Sequence, residues 1–95
     1  MITPRQAIKE LLGEQPYSAL ELSQRLSLSE KEVLGHLVHI ARAPGSGCHF
    51  QITPAVCKHC GFIFKKRERL TSPSRCPLCR HQSITRPRFA LVERG

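Results

Sequence analysis

The chain has 95 residues and a formal net charge of +8, with five cysteines, no tryptophan and 40% hydrophobic residues. That length allows one compact unit with a limited core, and no run is apolar and long enough to span a bilayer. The charge excludes nothing polyanionic as a partner and points toward one.

The charge is unevenly placed. Arg5, Lys9, Arg25, Lys31 and Arg42 are balanced by Glu10, Glu14, Glu21, Glu30 and Glu32 in residues 1–45. The excess therefore lies downstream, where Lys58, Lys65, Lys66, Arg67, Arg69, Arg75, Arg80, Arg86, Arg88 and Arg94 face only Glu68 and Glu93. A neutral first half and a basic second half imply different tasks.

Three helices are expected in the first half, each with its own start signal. Thr3, with Pro4 next and Gln6 three residues on, is a capping box with proline at the first helical position. Ala7, Ile8, Leu11 and Leu12 then mark one face, and Gly13 is the expected stop. Gln15-Pro16-Tyr17 reads as a short extended link. Ser18 with Glu21 opens a second helix carrying Leu20, Leu22 and Leu26, and Ser29 with Glu32 opens a third. In this last helix Val33, Leu34, Leu37, Ile40 and Ala41 are expected inward, with the end near Arg42 or Ala43.

Ser27-Leu28 between two capped helices reads as a tight turn with an apolar plug, the pattern of a helix-turn-helix. An ordinary small helical bundle shares these features. Alternation in His49-Phe50-Gln51-Ile52-Thr53 and in Arg88-Phe89-Ala90-Leu91-Val92 adds a strand pair and favours a winged helix. Phe50, Ile52, Phe89 and Leu91 are expected to face the helices.

Between those strands lies the most specific signal, Cys57-x-x-Cys60 and Cys76-x-x-Cys79 separated by fifteen residues. Two such knuckles present four thiolates that close tetrahedrally on one zinc ion. Isolated redox dithiols would need only one pair. Gly61 suits a turn with positive φ, and Phe62-Ile63-Phe64 and Ser83-Ile84-Thr85 read as short strands covering the metal. A loop of this length inside a compact domain needs structure of its own, and a structural zinc ion supplies it. Cys48 is left over at the start of the first wing strand, as a small hydrophobe or else an intersubunit or sensing thiol, and His59 and His81 are surplus to a site already filled by four cysteines.

The order of capped helix-turn-helix, Phe50-Gln51-Ile52, Cys57-x-x-Cys60-Gly61-Phe62-x-Phe64, Ser74-Arg75-Cys76-Pro77-x-Cys79 and Pro87-Arg88-Phe89 resembles the small prokaryotic winged-helix proteins with a rubredoxin-like zinc ribbon inserted in the wing. These are classed as predicted transcriptional regulators. The resemblance implies zinc on Cys57, Cys60, Cys76 and Cys79 and an α+β winged helix-turn-helix fold. Residues 1–53 would hold the helices and first wing strand, 54–86 the ribbon and 87–95 the second wing strand.

The expected function is that of a non-catalytic, DNA-binding transcriptional regulator in the reducing cytoplasm. No nucleophile elbow, phosphate loop or carboxylate pair is present. Lys31, His39 and Arg42 on the third helix are the expected contacts with double-stranded DNA in the groove, and Lys65, Lys66, Arg67 and Arg69, with Arg75, Arg80, Arg86 and Arg88 nearby, those with its phosphates, unless this basic face serves only solubility. Gly35 and His36 are expected on the same outward face. Dimerisation is common in such regulators. The rival reading is an adaptor that docks on a protein partner through the ribbon. A third is electron transfer, because four thiolates accept iron as well as zinc on heterologous expression; the iron form would be red when oxidised.

Overall fold

Each helix begins where a side chain can satisfy the first free backbone N–H groups. In the computed structural model, which describes residues 2–64 and 73–93, helix α1 spans Pro4–Glu14 and the Thr3 hydroxyl accepts from the Gln6 N–H at 3.2 Å while Gln6 returns the bond. Helix α2 spans Ala19–Leu26 behind the reciprocal Ser18–Glu21 pair. Helix α3 spans Glu30–Arg42, and the Ser29 hydroxyl accepts from the Glu32 N–H at 3.1 Å. This third cap is one-sided, because the Glu32 carboxylate does not return the bond. Strands β1 (Cys48–Thr53) and β2 (Arg88–Glu93) pair antiparallel, with Phe50 opposite Leu91 and Ile52 opposite Phe89. Among the described residues the result is an α+β fold of three helices, a two-stranded ladder and a cysteine ribbon between the strands.

The expected stop at Gly13 is overturned. The helix runs on to Glu14 and ends at Gln15, whose extended backbone (φ −165°, ψ 164°) is the conformation that a following proline favours. Beyond Pro16 the extended chain has a use that composition did not reveal. Tyr17 lies against β2, its N–H donating to the Phe89 carbonyl at 3.0 Å and its carbonyl accepting from the Phe89 N–H at 2.8 Å.

One core joins these pieces. Ile8, Leu12, Tyr17, Leu22, Val33, Leu37, Ile40 and Phe89 are buried together, with Leu11, Leu26, Leu28, Leu34, Phe50 and Leu91 packed around them. Phe89 is fully buried and stacks on Phe50 at 5.7 Å. Ile52 was expected beside them but stands 42% exposed. It occupies the penultimate rung of the ladder, opposite the fully buried Phe89. Ala41 is likewise exposed rather than inward, and Val38 is 40% exposed.

The turn from α2 to α3 is tight, as its sequence suggested, but a serine makes it. Ser27 adopts the left-handed conformation (φ 56°, ψ 41°) that usually selects glycine, and the Leu28 N–H folds back to the Ser23 carbonyl at 3.0 Å. Leu28 plugs the core below this turn. Among the described residues no helix is long and apolar enough to cross a membrane.

Candidate metal centre

Two residues between cysteines let a tight turn aim both sulfurs at one point, and the two turns here are built alike. Gly61 donates its N–H to the Cys57 carbonyl, and Arg80 donates to the Cys76 carbonyl, both at 2.9 Å. Cys57 N–H reaches the Phe62 carbonyl at 2.9 Å, and Cys76 N–H reaches that of His81 at 3.0 Å. Both turns need a left-handed residue at the same place. Gly61 supplies φ 82° without cost, whereas Arg80 is held at φ 63° despite its Cβ.

The four sulfurs converge. Cys57 Sγ lies 3.5 Å from Cys79 Sγ, Cys60 Sγ lies 3.5 Å from Cys76 Sγ, and all four lie within 4.8 Å of one another. Zinc–sulfur bonds of about 2.3 Å in a regular tetrahedron put sulfurs about 3.8 Å apart, so the cluster fits that coordination. The same distances are far beyond a disulfide bond of about 2.05 Å. All five cysteines are free thiols, and Cys48 stands apart, half-buried at the start of β1.

Backbone N–H groups point at the sulfurs and favour their ionised form. The Cys60 N–H draws the Cys57 thiol down to about 6 against burial, helped by the His59 N–H and the thiols of Cys79 and Cys60. At Cys79 the His81 N–H acts in the same sense. Burial and the thiols of Cys57, Cys60 and Cys76 outweigh it and push Cys79 up to about 12. The Phe62 N–H acts at Cys60 and those of Cys79 and Leu78 at Cys76. Four crowded sulfurs cannot all be thiolates without a cation, so binding the metal releases protons from them. The residues thus fit one zinc ion on all four thiolates, in a structural role.

Short pairings lock the ribbon around this centre. Val56 pairs with Ile63 and Cys57 with Ile84 as single antiparallel bridges, shorter than the strands expected there. Lys58 N–H donates to the Ser83 carbonyl at 2.8 Å, Thr85 N–H to the Val56 carbonyl at 2.9 Å, and Val56 N–H to the Thr85 hydroxyl at 2.8 Å. Phe62 and Phe64 meet edge to face at 4.9 Å. His59 and His81 stack on each other at 3.7 Å and are not part of the sulfur cluster.

The expected DNA contacts fall into three groups. Lys31, His39 and Arg42 are all exposed on α3, with Gly35 beside them. His36 does not join that face, because it packs toward α1, where its Nδ1 accepts from Arg5 Nε at 3.3 Å. Lys65, Lys66, Arg67 and Arg69 lie outside the described residues. Two of the arginines expected beside that basic stretch as further phosphate contacts have partners within the chain: Arg86 pairs with Glu30 at 3.2 Å and Arg88 with Glu21 at 3.8 Å. Only the fold brings these residues within reach, so the linear sequence carried no sign of it.

A helical unit with a short antiparallel ladder and an inserted four-cysteine ribbon defines a zinc-ribbon protein. Residues 3–44 match the family described as PF0610-like, N-terminal, and residues 54–94 match the PF0610 rubredoxin-like zinc beta-ribbon domain. The solution NMR structure of protein PF0610 from Pyrococcus furiosus is similar with a TM-score of 0.77 and 40% sequence identity, covering 95% of this chain and 89% of that one. The chain belongs to the PF0610-like family. None of the curated proteins matches it.

Proposed function

We propose that the chain is a cytoplasmic, non-catalytic transcriptional regulator of the winged-helix type that binds double-stranded DNA. Residues 1–53 and 87–95 form the winged helix, and 54–86 form a zinc ribbon inserted in the wing. The observation that carries this reading is the tight Ser27-Leu28 turn. It packs α2 against α3 through Val33, Leu37 and Ile40 while Lys31, Gly35, His39 and Arg42 stay exposed on the other side of α3. A helix supported in this way is the kind that enters a major groove. The acidic first turn of α3 is unfavourable to a phosphate backbone, and in the free protein Arg86 pairs with Glu30 there. The basic second half adds sequence-independent attraction.

A second reading has its own support. Leu78 at the tip of the second knuckle is 71% exposed and Ile63 44% exposed, which suits an adaptor docking through the ribbon onto a protein partner. Selection of genomic DNA fragments by the zinc-loaded protein at physiological salt, with excess competitor DNA, separates the two. Enrichment of one shared sequence supports the regulator, and its half-site spacing reports a dimer. Recovery of random fragments, or of none, refutes sequence-specific regulation and leaves the adaptor. Replacing His39 and Arg42 with alanine should reduce discrimination between sites; equal loss on random DNA would remove their reading role.

A further inference from the structure

Three segments that are distant in sequence meet at one cleft of about 610 Å³ between the helices and the ribbon. The N-terminus of α2 opens onto it at Ser18, the end of the ladder at Thr53 and Arg88, and the ribbon through Lys58 and Arg86. Its lining has three cations and one carboxylate, Glu21. The N-terminus of α3 borders the same place, since Glu30 is the partner of Arg86.

We propose that this cleft is a seat for the phosphodiester backbone of double-stranded DNA, in which Glu21 and Glu30 hold Arg88 and Arg86 until phosphates take their place. The proposal rests on the DNA-binding reading and adds to it a contact surface, formed by Lys58, Arg86 and Arg88, and a latch. The chemistry follows from the donors. Guanidinium forks bind phosphate and carboxylate oxygens in the same bidentate manner, so a phosphate is a direct substitute for either glutamate. The ion pairs measure 3.2 and 3.8 Å, and their four side chains are 40–55% exposed. Pairs so open to water contribute little to stability and exchange readily. The N-terminus of α2 adds a partial positive charge, with Ser18 as its cap. Each glutamate thus occupies an arginine in the free protein and keeps the cleft from attracting every passing polyanion.

The test is a set of salt-dependent titrations of zinc-loaded protein onto a labelled random-sequence duplex, with zinc content and thermal midpoint measured for each variant. Arg86→Gln and Arg88→Gln should each weaken binding several-fold and lower the salt slope by about 0.9 for each phosphate no longer neutralised. Glu30→Gln should tighten binding several-fold by releasing Arg86, and more than Glu14→Gln, which removes a charge at the far end of α1. In an Arg86→Gln background, Glu30→Gln should bring no more than the Glu14→Gln increase. Wild-type affinity and slope in the arginine variants, or a Glu30→Gln increase equal in both backgrounds, would overturn the cleft and its latch while leaving DNA binding intact. A wild-type protein without affinity for DNA would overturn this proposal and the DNA-binding reading together.

Discussion

Replacing Cys76 with serine removes a fully buried ligand and should release the zinc, and the structure sets the size of the effect on the rest of the chain. Among the described residues all helical ones lie in α1, α2 and α3, before the ribbon, so the far-UV helical signal at 25 °C should persist. The ladder is a different matter. Its rung nearest the ribbon, Thr53 opposite Arg88, closes a segment of about 34 residues, whose two cysteine knuckles a zinc ion would tie together. Once that segment is a flexible loop, closing it costs about (3/2)RT ln n, or roughly 3 kcal/mol. A domain of this size has about 5–14 kcal/mol of stability, so the helical unit survives, but its melting temperature should fall by roughly 12–24 °C. Thermal unfolding followed at 222 nm, beside zinc content and amide dispersion in an NMR spectrum, reads all three effects. A variant that loses zinc but melts within about 3 °C of the wild type, below the shift that 1 kcal/mol gives, would refute the staple. So would one whose helices vanish at 25 °C.

Other perturbations probe single links in the same chain of causes. Phe89→Ala empties the most voluminous fully buried position, beside Phe50, and should cost about 3–5 kcal/mol in chemical denaturation; a loss below about 1 kcal/mol would mean that the ladder is not anchored by this ring. Ser27→Gly relieves a left-handed serine and should stabilise by about 0.5–1 kcal/mol, seen as a higher melting temperature, whereas a lower one would show that the Ser27 side chain matters more than its backbone. Glu21 has its carboxyl held below the usual range by the Ser18 backbone N–H first, against burial, with Arg88 and the Ser18 hydroxyl assisting. A lowered folded-state value stabilises above about pH 4.5 and is lost as pH falls through it, so Glu21→Ala should destabilise at pH 7 and converge on the wild type in acid. A gap in melting temperature that stays constant down to pH 3 would contradict this.

Much of the candidate site was legible in the sequence because its determinants are local. Cysteines two residues apart can reach one point through a single turn, and Gly61 marks the left-handed residue that this turn requires. The second turn needs the same conformation and has Arg80 there, so composition alone would have passed over it. Capping boxes at Thr3 and Ser18 announced their helices for the same local reason, since donor and acceptor lie three residues apart. Gly13 misled because a glycine inside a helix costs only about 1 kcal/mol, which neighbouring Leu12 in the core outweighs.

Sequence by itself determined the cysteine knuckles, the three helices and their caps and the two strand segments, each set by a spacing short enough for one turn, helix or strand to enforce, and its composition placed the basic excess in the second half. Tertiary structure alone decided which faces and charges remain available. Packing against α1 took His36 from the exposed side of α3, the ladder left Ile52 in water, and Tyr17 became a partner of β2. The pairing of Arg86 with Glu30 spans 56 positions, a separation no local rule reaches, and it exists because the ribbon and the ladder return the chain to the start of α3.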